Sequence, residues 1–503
     1  MTNILFLADL HLAAKGPTPQ HLALEALSQL IQQQRPQLVV SLGDLTLCGE
    51  PASGQAFRQA LGPAPFLGTL GNSDLRSPSQ LPVLERLLEP DCCWQGEGCR
   101  LLLLRLRQGR LLEESRRQLL SAAKGTETLV LGAHHPPEEW EPESRGLLEA
   151  CISQRPALFL CGHLHRFFSR KMGQGRLVSL GALDPDKSIG GPCQGAVLTL
   201  EQGKEPVVSP IPLPLEEKDF TPFLGLSAAA PEQILLAAQQ YLPALELRPE
   251  CFALPGSPPL QELSQWRQAG GRCLSLHLPD VLWKNGILEG EERLGSFAAL
   301  CRQLGAQQAT LHPPKGISAG RLSLVCGALS KALAPLSPQV LIAVENLHAV
   351  PGQQGHPFGA LPEECRLFLA ALEQCLPNPI GYRLDLGHAR NNPGIYSQYS
   401  LGVWMRELGP RCAGYHLHQV ASLADGKMEN HQPFSQFYGE LISLGGLSAA
   451  FASGLLPVGP LPQGGFASVL LEQRRGEGYP QSLMTLKEHF GDENRHGTPK
   501  KLP

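Results

Sequence analysis

A short apolar run that ends in two polar side chains opens the chain and limits how it can fold. Residues 4–8 (ILFLA) are all apolar, a length typical of a buried strand and too short for a helix. Asp9 and His11 follow, and because residues two apart along a strand face the same side, both are predicted to reach one metal ion. The alternative is an aspartate that caps a helix beside a solvent-exposed histidine.

The same pattern recurs along the next 150 or so residues. Apolar runs at 38–42, 65–70, 128–132 and 157–160 predict four more strands, and each ends in polar side chains. The polar residues at these ends are, in chain order, Asp44, Asn72 with Ser73 and Asp74, His134 with His135, and His163 with His165. Each motif alone is typical of a turn. Five strand ends with metal-type ligands would need five independent coincidences, so a shared metal site is the better interpretation.

Helical spacing between these strands predicts helices at 20–34 and 52–61. Residues 167–200 are predicted to form hairpins, with turns at 173–175 and 190–192. The segment 201–221 contains four prolines and flanking glutamates, a composition typical of an extended linker. We therefore expect a first domain at 1–212 and a linker at 213–221.

Composition and charge narrow the class of protein. The length of 503 residues, with 42% apolar and 17% charged residues, predicts several globular domains. The fourteen cysteines form no CxxC motif, and neither a signal peptide nor an 18-residue apolar segment is found, so we expect a cytoplasmic enzyme with reduced thiols and no membrane partner. The net charge of −4 argues against nucleic acid as a partner. A local basic run is interpreted as a solvated helix face and consists of Arg100, Arg105, Arg107, Arg110, Arg116 and Arg117.

The order of the first five motifs, DxH, GD, GN, HH and GHxH, resembles that of the calcineurin-like metallophosphoesterases over about residues 1–212. The resemblance implies a four-layer αββα sandwich that hydrolyses phosphomonoesters or phosphodiesters with two divalent metals, Mn, Fe or Zn. By the same resemblance Asp44 would bridge the metals. The other ligands would be Asp9, His11 and His165 for one metal and Asn72, His134 and His163 for the second. Neutral His and Asn ligands leave such a site cationic, which suits a phosphoester substrate.

One position departs from the motif of this family. Many members carry His directly after the Asn, where it can assist the leaving group, and this chain has Ser73. Asp74, His135 or a water could supply the proton instead, or the leaving group could need little protonation. The catalytic residues expected in this domain are Asp44, Asn72, His134 and Asp74.

Beyond residue 221 the pattern changes to alternating strands and helices. The predicted strands are 223–227, 244–247, 273–277, 308–312, 340–345, 381–385, 413–418 and 468–472, with helices such as 291–304, 321–333 and 363–375 between them. Eight such units predict a (β/α)8 barrel at 222–490, followed by a flexible tail at 491–503. Barrels of this type place function at the C-terminal strand ends. The polar residues there are His277, His312, Glu345, Asp385, His388, His416, Glu429, His431 and Glu472.

Four motifs in this half, VENL at 344–347, DLGH at 385–388, HLH at 416–418 and LLE at 470–472, resemble the xylose isomerase-like barrel superfamily, which includes sugar isomerases, epimerases and endonuclease IV. In sugar-handling members one divalent metal is held by four residues, which here would be Glu345, Asp385, His416 and Glu472. In the endonuclease IV branch a three-metal cluster has further ligands, for which His277, His312, His388, Glu429 and His431 are placed plausibly. The barrel is thus expected to hold one to three divalent metals, Mn, Mg or Zn. Glu429 and Gln419 stand where these families usually have aspartate.

We interpret the chain as a bifunctional metal enzyme acting on a small phosphorylated substrate. The favoured reaction of the barrel is isomerisation or epimerisation of a sugar or sugar phosphate, in which Glu345 or Glu472 moves the proton. The alternatives are an endonuclease IV-like phosphodiesterase, on DNA or on a nucleotide-like small molecule, and a domain that binds metal without catalysis. The sequence does not predict an oligomeric state.

Overall fold

Two units make up the chain in the computed structural model, Met1–Glu217 with Ser443–Ala449 and Lys218–Ile442 with Ala450–Pro503. The structure describes residues 2–96, 98–189, 191–201, 205–215, 222–252, 258–348, 356–390, 398–422, 428–434, 444–473 and 478–490. The predicted tail and residues 216–221 of the predicted linker lie outside the described residues. None of the helices in the described segments combines the length and the apolar composition that a membrane-spanning helix requires.

Strands and helices of the first unit follow the predicted order. Its strands are β1 (Thr2–Leu7), β2 (Leu38–Ser41), β3 (Phe66–Gly68), β4 (Cys93–Gly96), β5 (Cys99–Leu103), β6 (Leu106–Arg107), β7 (Arg110–Leu111), β8 (Thr128–Ala133), β9 (Ala157–Cys161), β10 (Phe168–Met172), β11 (Gly175–Ser179), β12 (Gln194–Leu200) and β13 (Val207–Pro212). Its helices are α1 (Pro19–Gln34), α2 (Pro51–Leu61), α3 (Leu81–Leu88), α4 (Glu113–Ala122) and α5 (Pro142–Gln154). One sheet has the order β13-β12-β1-β2-β3 and the other β10-β11-β9-β8-β5-β4.

The alternation of side chains along the strands creates four layers. Ile4 and Phe6 on one face of β1 are buried in a core that also contains Leu101 of the second sheet. Leu5 and Leu7 on the opposite face pack in a core with α1 and α2. Helices α4 and α5 cover the outer face of the second sheet in the same way. The predicted αββα sandwich is confirmed.

Two details of the predicted first domain are wrong. Residues 207–212, interpreted as part of a linker, form the edge strand β13 and pair with β12. Pro210 and Pro212 lack an N–H group, which is tolerated because an edge strand pairs on one side only. The first predicted hairpin exists as β10 with β11. The second does not, because β11 and β12 lie in different sheets and the turn at 190–192 therefore does not join paired strands.

The basic run at 100–117 is not a single helix face. Only its last two arginines lie on α4, and the others lie on or between β5, β6 and β7. Arg107 and Arg105 pair with Glu89, and Arg110 pairs with Glu141. These ion pairs neutralise much of the run, which further weakens any role in nucleic-acid binding.

The second unit contains a closed barrel of eight parallel strands. The unit as a whole has the barrel strands and several short ones, which are β14 (Phe223–Ala228), β15 (Ala244–Leu247), β16 (Cys273–His277), β17 (Leu282–Lys284), β18 (Ile287–Glu289), β19 (Gln308–Leu311), β20 (Leu341–Glu345), β21 (Ile380–Asp385), β22 (Cys412–Leu417), β23 (Gln419–Ser422), β24 (Met428–Gln432), β25 (Gly459–Pro460) and β26 (Phe466–Leu471). The helices are α6 (Pro231–Gln239), α7 (Leu260–Gln268), α8 (Glu291–Leu304), α9 (Leu322–Ala332), α10 (Pro362–Glu373), α11 (Leu386–Arg390), α12 (Leu401–Leu408), α13 (Leu444–Ser453) and α14 (Tyr479–Phe490).

The barrel order is β14-β15-β16-β19-β20-β21-β22-β26, and pairing of β26 with β14 closes it. The eight strands begin and end within two residues of the predicted bounds. Strands buried on both faces read as nearly continuous apolar runs, which is why their positions are visible in the sequence. Because all eight run in parallel, their C-terminal ends form one rim, and most of the predicted ligands lie close together there.

Candidate metal centres

The N-terminal ligands lie in loops beyond the strand ends, and their backbone is unusual. Strand β1 ends at Leu7, and Asp9 and His11 have left-handed backbone with φ of 59° and 48°. The two side chains therefore do not converge by strand alternation, and the prediction that pairs them on that ground is wrong in its reason. Of the ten described non-glycine residues with positive φ, six are predicted ligands: Asp9, His11, Asp44, His163, His165 and His431. Each such residue costs about 1–3 kcal/mol, and this strain concentrates at functional sites.

Direct hydrogen bonds between the loops hold these conformations. The N–H of Asp9 donates to Gly43 O and the N–H of His11 donates to Asp44 O, both at 3.0 Å. The His163 N–H donates to Asp9 Oδ2 at 2.9 Å. The loops after β1, β2 and β9 therefore form one connected structure.

Asp44 lies between two groups of candidate ligands. Asp9, His11 and His165 form one group, with ligand atoms all within 4.8 Å of one another. Asp44 Oδ2 lies 3.2 Å from His11 Nε2, and Asp44 Oδ1 lies 3.5 Å from His134 Nε2. Burial opposes ionisation of Asp44, but His134 and His11 outweigh it and hold its pKa well below its usual range. One carboxylate thus faces both groups, as a bridging ligand must.

The second group is centred on His134. Its Nδ1 lies 2.8 Å from Leu42 O, to which it donates, and this leaves Nε2 as the acceptor that can bind a metal. Asn72 Oδ1 is 3.0 Å from that Nε2. His134, His135 and His163 form one ligand group. A mixed set of imidazole, carboxylate and amide ligands fits Mn, Fe or Zn.

Ser73 and Asp74 form hydrogen bonds that join loops, so their roles are structural. The buried Ser73 Oγ donates to Thr46 O at 2.7 Å and does not serve as a proton donor toward the site. Asp74 is fully buried, and its two oxygens accept from the N–H groups of Thr46 at 2.8 Å and Gly71 at 3.0 Å. Burial and the charge of Asp44 raise the pKa of Asp74 to about 6. Because both oxygens are occupied in joining loops, the geometry does not support the proton-donating role expected for Asp74.

Sequence reasoning missed two acidic side chains here. Asp184 Oδ2 lies 3.4 Å from His11 Nδ1, and Gln20 donates to Asp184 Oδ1 at 2.6 Å. Glu139 Oε2 lies 3.3 Å from His163 Nε2, and Glu139 lines a cavity of about 300 Å³ together with Asn72 and His135. The one sequence feature that could indicate a role for Asp184 is its position shortly after a strand. No comparable feature marks Glu139.

In the barrel, one group of four residues matches the predicted single-metal site. Glu345, Asp385, His416 and Glu472 have ligand atoms within 4.8 Å of one another and are all buried. His416 Nδ1 lies 3.1 Å from Glu345 Oε1 and 2.9 Å from Glu472 Oε2. None of these three atoms has a hydrogen-bond partner among the described residues, so they face a common point and not one another.

Two further groups flank these four residues. His277 Nε2 and His312 Nε2 each lie 3.2 Å from Glu345 Oε2, so the two oxygens of Glu345 serve different groups. His388, His418 and His431 form a third group, which the His418 Nε2 contact with Asp385 Oδ1 at 3.1 Å connects to the first. Sequence reasoning did not assign His418 as a ligand, although the HLH motif contains it.

Orphaned buried atoms in these groups fit bound cations. Buried polar atoms normally have partners, and exceptions indicate an ion or a water. The described buried atoms without a hydrogen-bond partner include His312 Nε2, Glu345 Oε1, Asp385 Oδ2, His416 Nδ1, His418 Nε2, His431 Nδ1 and Glu472 Oε2. The prediction that Glu429 is a ligand finds no support, because within the described part of the chain Glu429 makes no hydrogen bond or ion pair with the other predicted ligands.

A polar layer inside the barrel supports His416. Glu246 Oε1 lies 2.8 Å from His416 Nε2, and Glu246 Oε2 lies 3.7 Å from Arg383 Nη2. Glu246 and Arg383 are fully buried. Burial disfavours the His416 cation, but Glu246, Glu345 and Glu472 outweigh it and raise its pKa well above the usual value. Barrel interiors are usually filled by branched apolar side chains, so this layer is not expected from sequence alone.

Gly414 leaves room for the buried arginine. A Cβ at that position would lie 1.9 Å from Arg383 Nη1.

Asp280 positions a second histidine of the centre. Its Oδ1 lies 2.7 Å from His312 Nδ1 and so orients the ring with Nε2 toward Glu345. Burial opposes protonation of His312, but Glu345 and Asp280 outweigh it and raise its pKa to about 10.

Comparison with protein families gives one match, in the N-terminal half of the chain. Residues 2–167 match the family model of the calcineurin-like phosphoesterases. No curated protein is significantly similar to the chain. A putative xylose isomerase from Rhodospirillum rubrum is 16% identical, covers 54% of this chain and 98% of its own, and has a TM-score of 0.40. Endonuclease IV from Thermus thermophilus is 20% identical, covers 53% and 98%, and has a TM-score of 0.35.

GAP50 of Plasmodium is 13% identical, covers 42% of this chain and 85% of its own, and has a TM-score of 0.35. With TM-scores this low, these structural likenesses support no conclusion about activity. The family match, the αββα layers and the ligands around Asp44 agree with one another. Residues 2–167 therefore match the calcineurin-like phosphoesterases, a family that supports a metal-dependent hydrolase, and a (β/α)8 barrel follows in the sequence.

Proposed function

We propose that the N-terminal domain hydrolyses a phosphomonoester or phosphodiester of a small metabolite with two divalent cations, Mn, Fe or Zn. The observation that carries this proposal is Asp44, whose two oxygens face the two ligand groups. A bound cation pair would neutralise charge that develops on the phosphoryl group and lower the pKa of a bound water. Glu139 and His135 line the cavity beside Asn72 and are the side chains placed to contact the leaving group.

For the barrel, we propose a hydrolase that acts on a small phosphodiester with up to three divalent cations. Three ligand groups joined by Glu345 and Asp385 support this reading over a single-metal enzyme. Many of these ligands are imidazole nitrogens, which favours Zn over Mg. A cavity of about 790 Å³ at the ligands suits a small molecule.

A single-metal isomerase or epimerase acting on a sugar phosphate is the second candidate. The buried group of Glu345, Asp385, His416 and Glu472 supports it, because those four residues alone can hold one cation. In that reaction Glu345 or Glu472 would move the proton. A barrel that binds metal without catalysis would show the same metal content and no turnover.

Metal content and turnover of the full-length chain separate these candidates. The hydrolase proposal predicts that His277→Ala and His388→Ala each remove one ion, and that an aryl phosphodiester is still cleaved by the barrel when Asp44→Asn disables the other domain. The isomerase proposal predicts no loss of ions in either histidine variant. Ion loss without any cleavage would favour the non-catalytic alternative.

We further propose that the functional domains are 1–212 and 222–490, joined by 213–221; the division of the chain near residue 217 supports this proposal, although Ser443–Ala449 is grouped with the first unit. A cytoplasmic location is supported by the fourteen cysteines, all of which are free thiols.

A further inference from the structure

Three cations line the barrel cavity without being candidate metal ligands. They are Arg248, Arg293 and Lys315. Arg248 follows β15, Arg293 lies in the first turn of α8, and Lys315 follows β19, so they come from three successive strand–helix units on one side of the mouth. Neither proposed reaction of the barrel uses Arg293 or Lys315.

The three cations differ in how far they are neutralised. Arg248 Nη1 lies 2.6 Å from Glu472 Oε1, so the charge of this arginine is neutralised by a candidate metal ligand. Lys315 Nζ lies 2.8 Å from Asp280 Oδ2, but the lysine side chain is 63% exposed. Arg293 is exposed and, within the described segments, has no carboxylate partner; its guanidinium carbon lies 5.9 Å from the centre of the Phe297 ring. Arg293 thus leaves positive charge available to a ligand, and the exposed Lys315 shares its charge with Asp280, which lines the same cavity.

The backbone that carries Lys315 is fixed. The Lys315 N–H donates to Val281 O at 3.0 Å, and the Trp283 N–H donates to Lys315 O at 2.8 Å. Gly316 has a φ of 78°, and a Cβ there would lie 2.7 Å from Trp283 O. Two prolines, at 313 and 314, precede the lysine and restrict the chain further. A cation on a rigid loop loses less entropy when it binds a ligand than one on a mobile surface loop.

We propose that Arg293 and Lys315 form an anion subsite, which binds a second anionic group of a substrate whose reacting phosphoester lies at the metal ligands. The inference rests on the proposed function of the barrel, because it takes the cavity as the substrate site. A cavity of about 790 Å³ has room for a small molecule with two anionic groups. The second group is a phosphate or a carboxylate, since both accept charge-assisted hydrogen bonds from Arg and Lys.

Binding of phosphonates to the full-length, metal-loaded chain tests the subsite without turnover, because a C–P bond is not hydrolysed. Calorimetric titration compares an alkylphosphonate with alkyl bisphosphonates and phosphonocarboxylates of increasing chain length. We expect the wild-type chain to bind a doubly anionic probe of matching length about three- to tenfold more tightly than the alkylphosphonate. Preference for the bisphosphonate identifies a phosphate site, and preference for the phosphonocarboxylate identifies a carboxylate site.

Arg293→Gln and Lys315→Gln should each reduce this preference, and the double variant should abolish it. Arg302→Gln is the matched control, because Arg302 is exposed in the last turn of the same helix and does not line the cavity. No preference in the wild-type chain, or an equal loss in the Arg302 control, would overturn the subsite. Absence of any barrel hydrolysis would overturn only the proposed reaction, because binding is measured separately.

Discussion

The two candidate metal centres obtain similar ligands from different kinds of backbone. Around Asp44, five ligand residues have left-handed backbone and lie in loops. In the barrel, Glu345 and Asp385 are the last residues of their strands, and His416 lies within a strand. Among the described candidate ligands of the barrel, His431 alone has a positive φ. The first centre is therefore held by hydrogen bonds between loops, and the second by buried charges behind the strand ends. Different substitutions should damage each.

The largest expected effect is the loss of the shared carboxylate. Asp44→Asn removes a negative charge between the two ligand groups, so we expect the phosphoesterase kcat to fall about a thousandfold or more. The barrel should stay folded and keep its metals. Hydrolysis of a generic aryl phosphate by the purified variant measures the effect, and an unchanged rate would refute the bridging role.

The next largest effect concerns the charged layer of the barrel. Arg383→Met removes a buried arginine that faces Glu246, and we expect the free energy of unfolding of the barrel to fall by about 3–5 kcal/mol. The double variant with Glu246→Gln should recover part of that loss, although metal affinity should remain about 10–100-fold weaker because His416 is no longer oriented.

Arg411→Met is a suitable control for the charged layer, because Arg411 forms an exposed ion pair with Glu373. Its loss should cost less than about 1 kcal/mol. Denaturant unfolding measures all three variants. A cost for Arg383→Met no larger than that of the control would show that the buried layer does not support the site.

Substitution of Asp74 tests how far the stability of the N-terminal domain depends on the hydrogen bonds between its loops. In Asp74→Asn an amide group must face backbone N–H donors, so we expect a loss of about 1–3 kcal/mol in the stability of this domain. The exposed Asp91→Asn should have almost no effect. A variant with normal stability but altered dependence on the leaving group would instead restore Asp74 as a proton donor.

The smallest expected effect is that of Ser73→Ala, which removes one hydrogen bond to Thr46 O and should cost about 1 kcal/mol. Because the hydroxyl donates to a backbone carbonyl, the dependence of rate on leaving-group pKa should not change.

Glu139→Gln should slow the hydrolysis of substrates with poor leaving groups more than that of activated esters. Equal leaving-group effects in the two variants would contradict these placements.

Local patterns were sufficient to predict the fold and the grouping of most candidate ligands. Apolar runs of strand length predict where β20 and β22 lie, and the residues at their ends follow directly. Asp184, Glu246 and Arg383 could not be predicted as parts of the centres, since each acts through a partner distant in sequence. The pairing of Asp9 with His11 was predicted for the wrong reason, because the sequence does not reveal that both residues leave the strand in left-handed backbone.

The most direct test of two separate metal centres is the metal content of four full-length chains, wild type, Asp44→Asn, Glu345→Gln and the double variant, measured by elemental analysis after dialysis against a weak chelator. We predict that Asp44→Asn loses its ions only from the N-terminal domain and that Glu345→Gln loses them only from the barrel, so that the two losses add in the double variant. Unchanged metal content in either single variant, or loss of all ions from either one, would contradict this account.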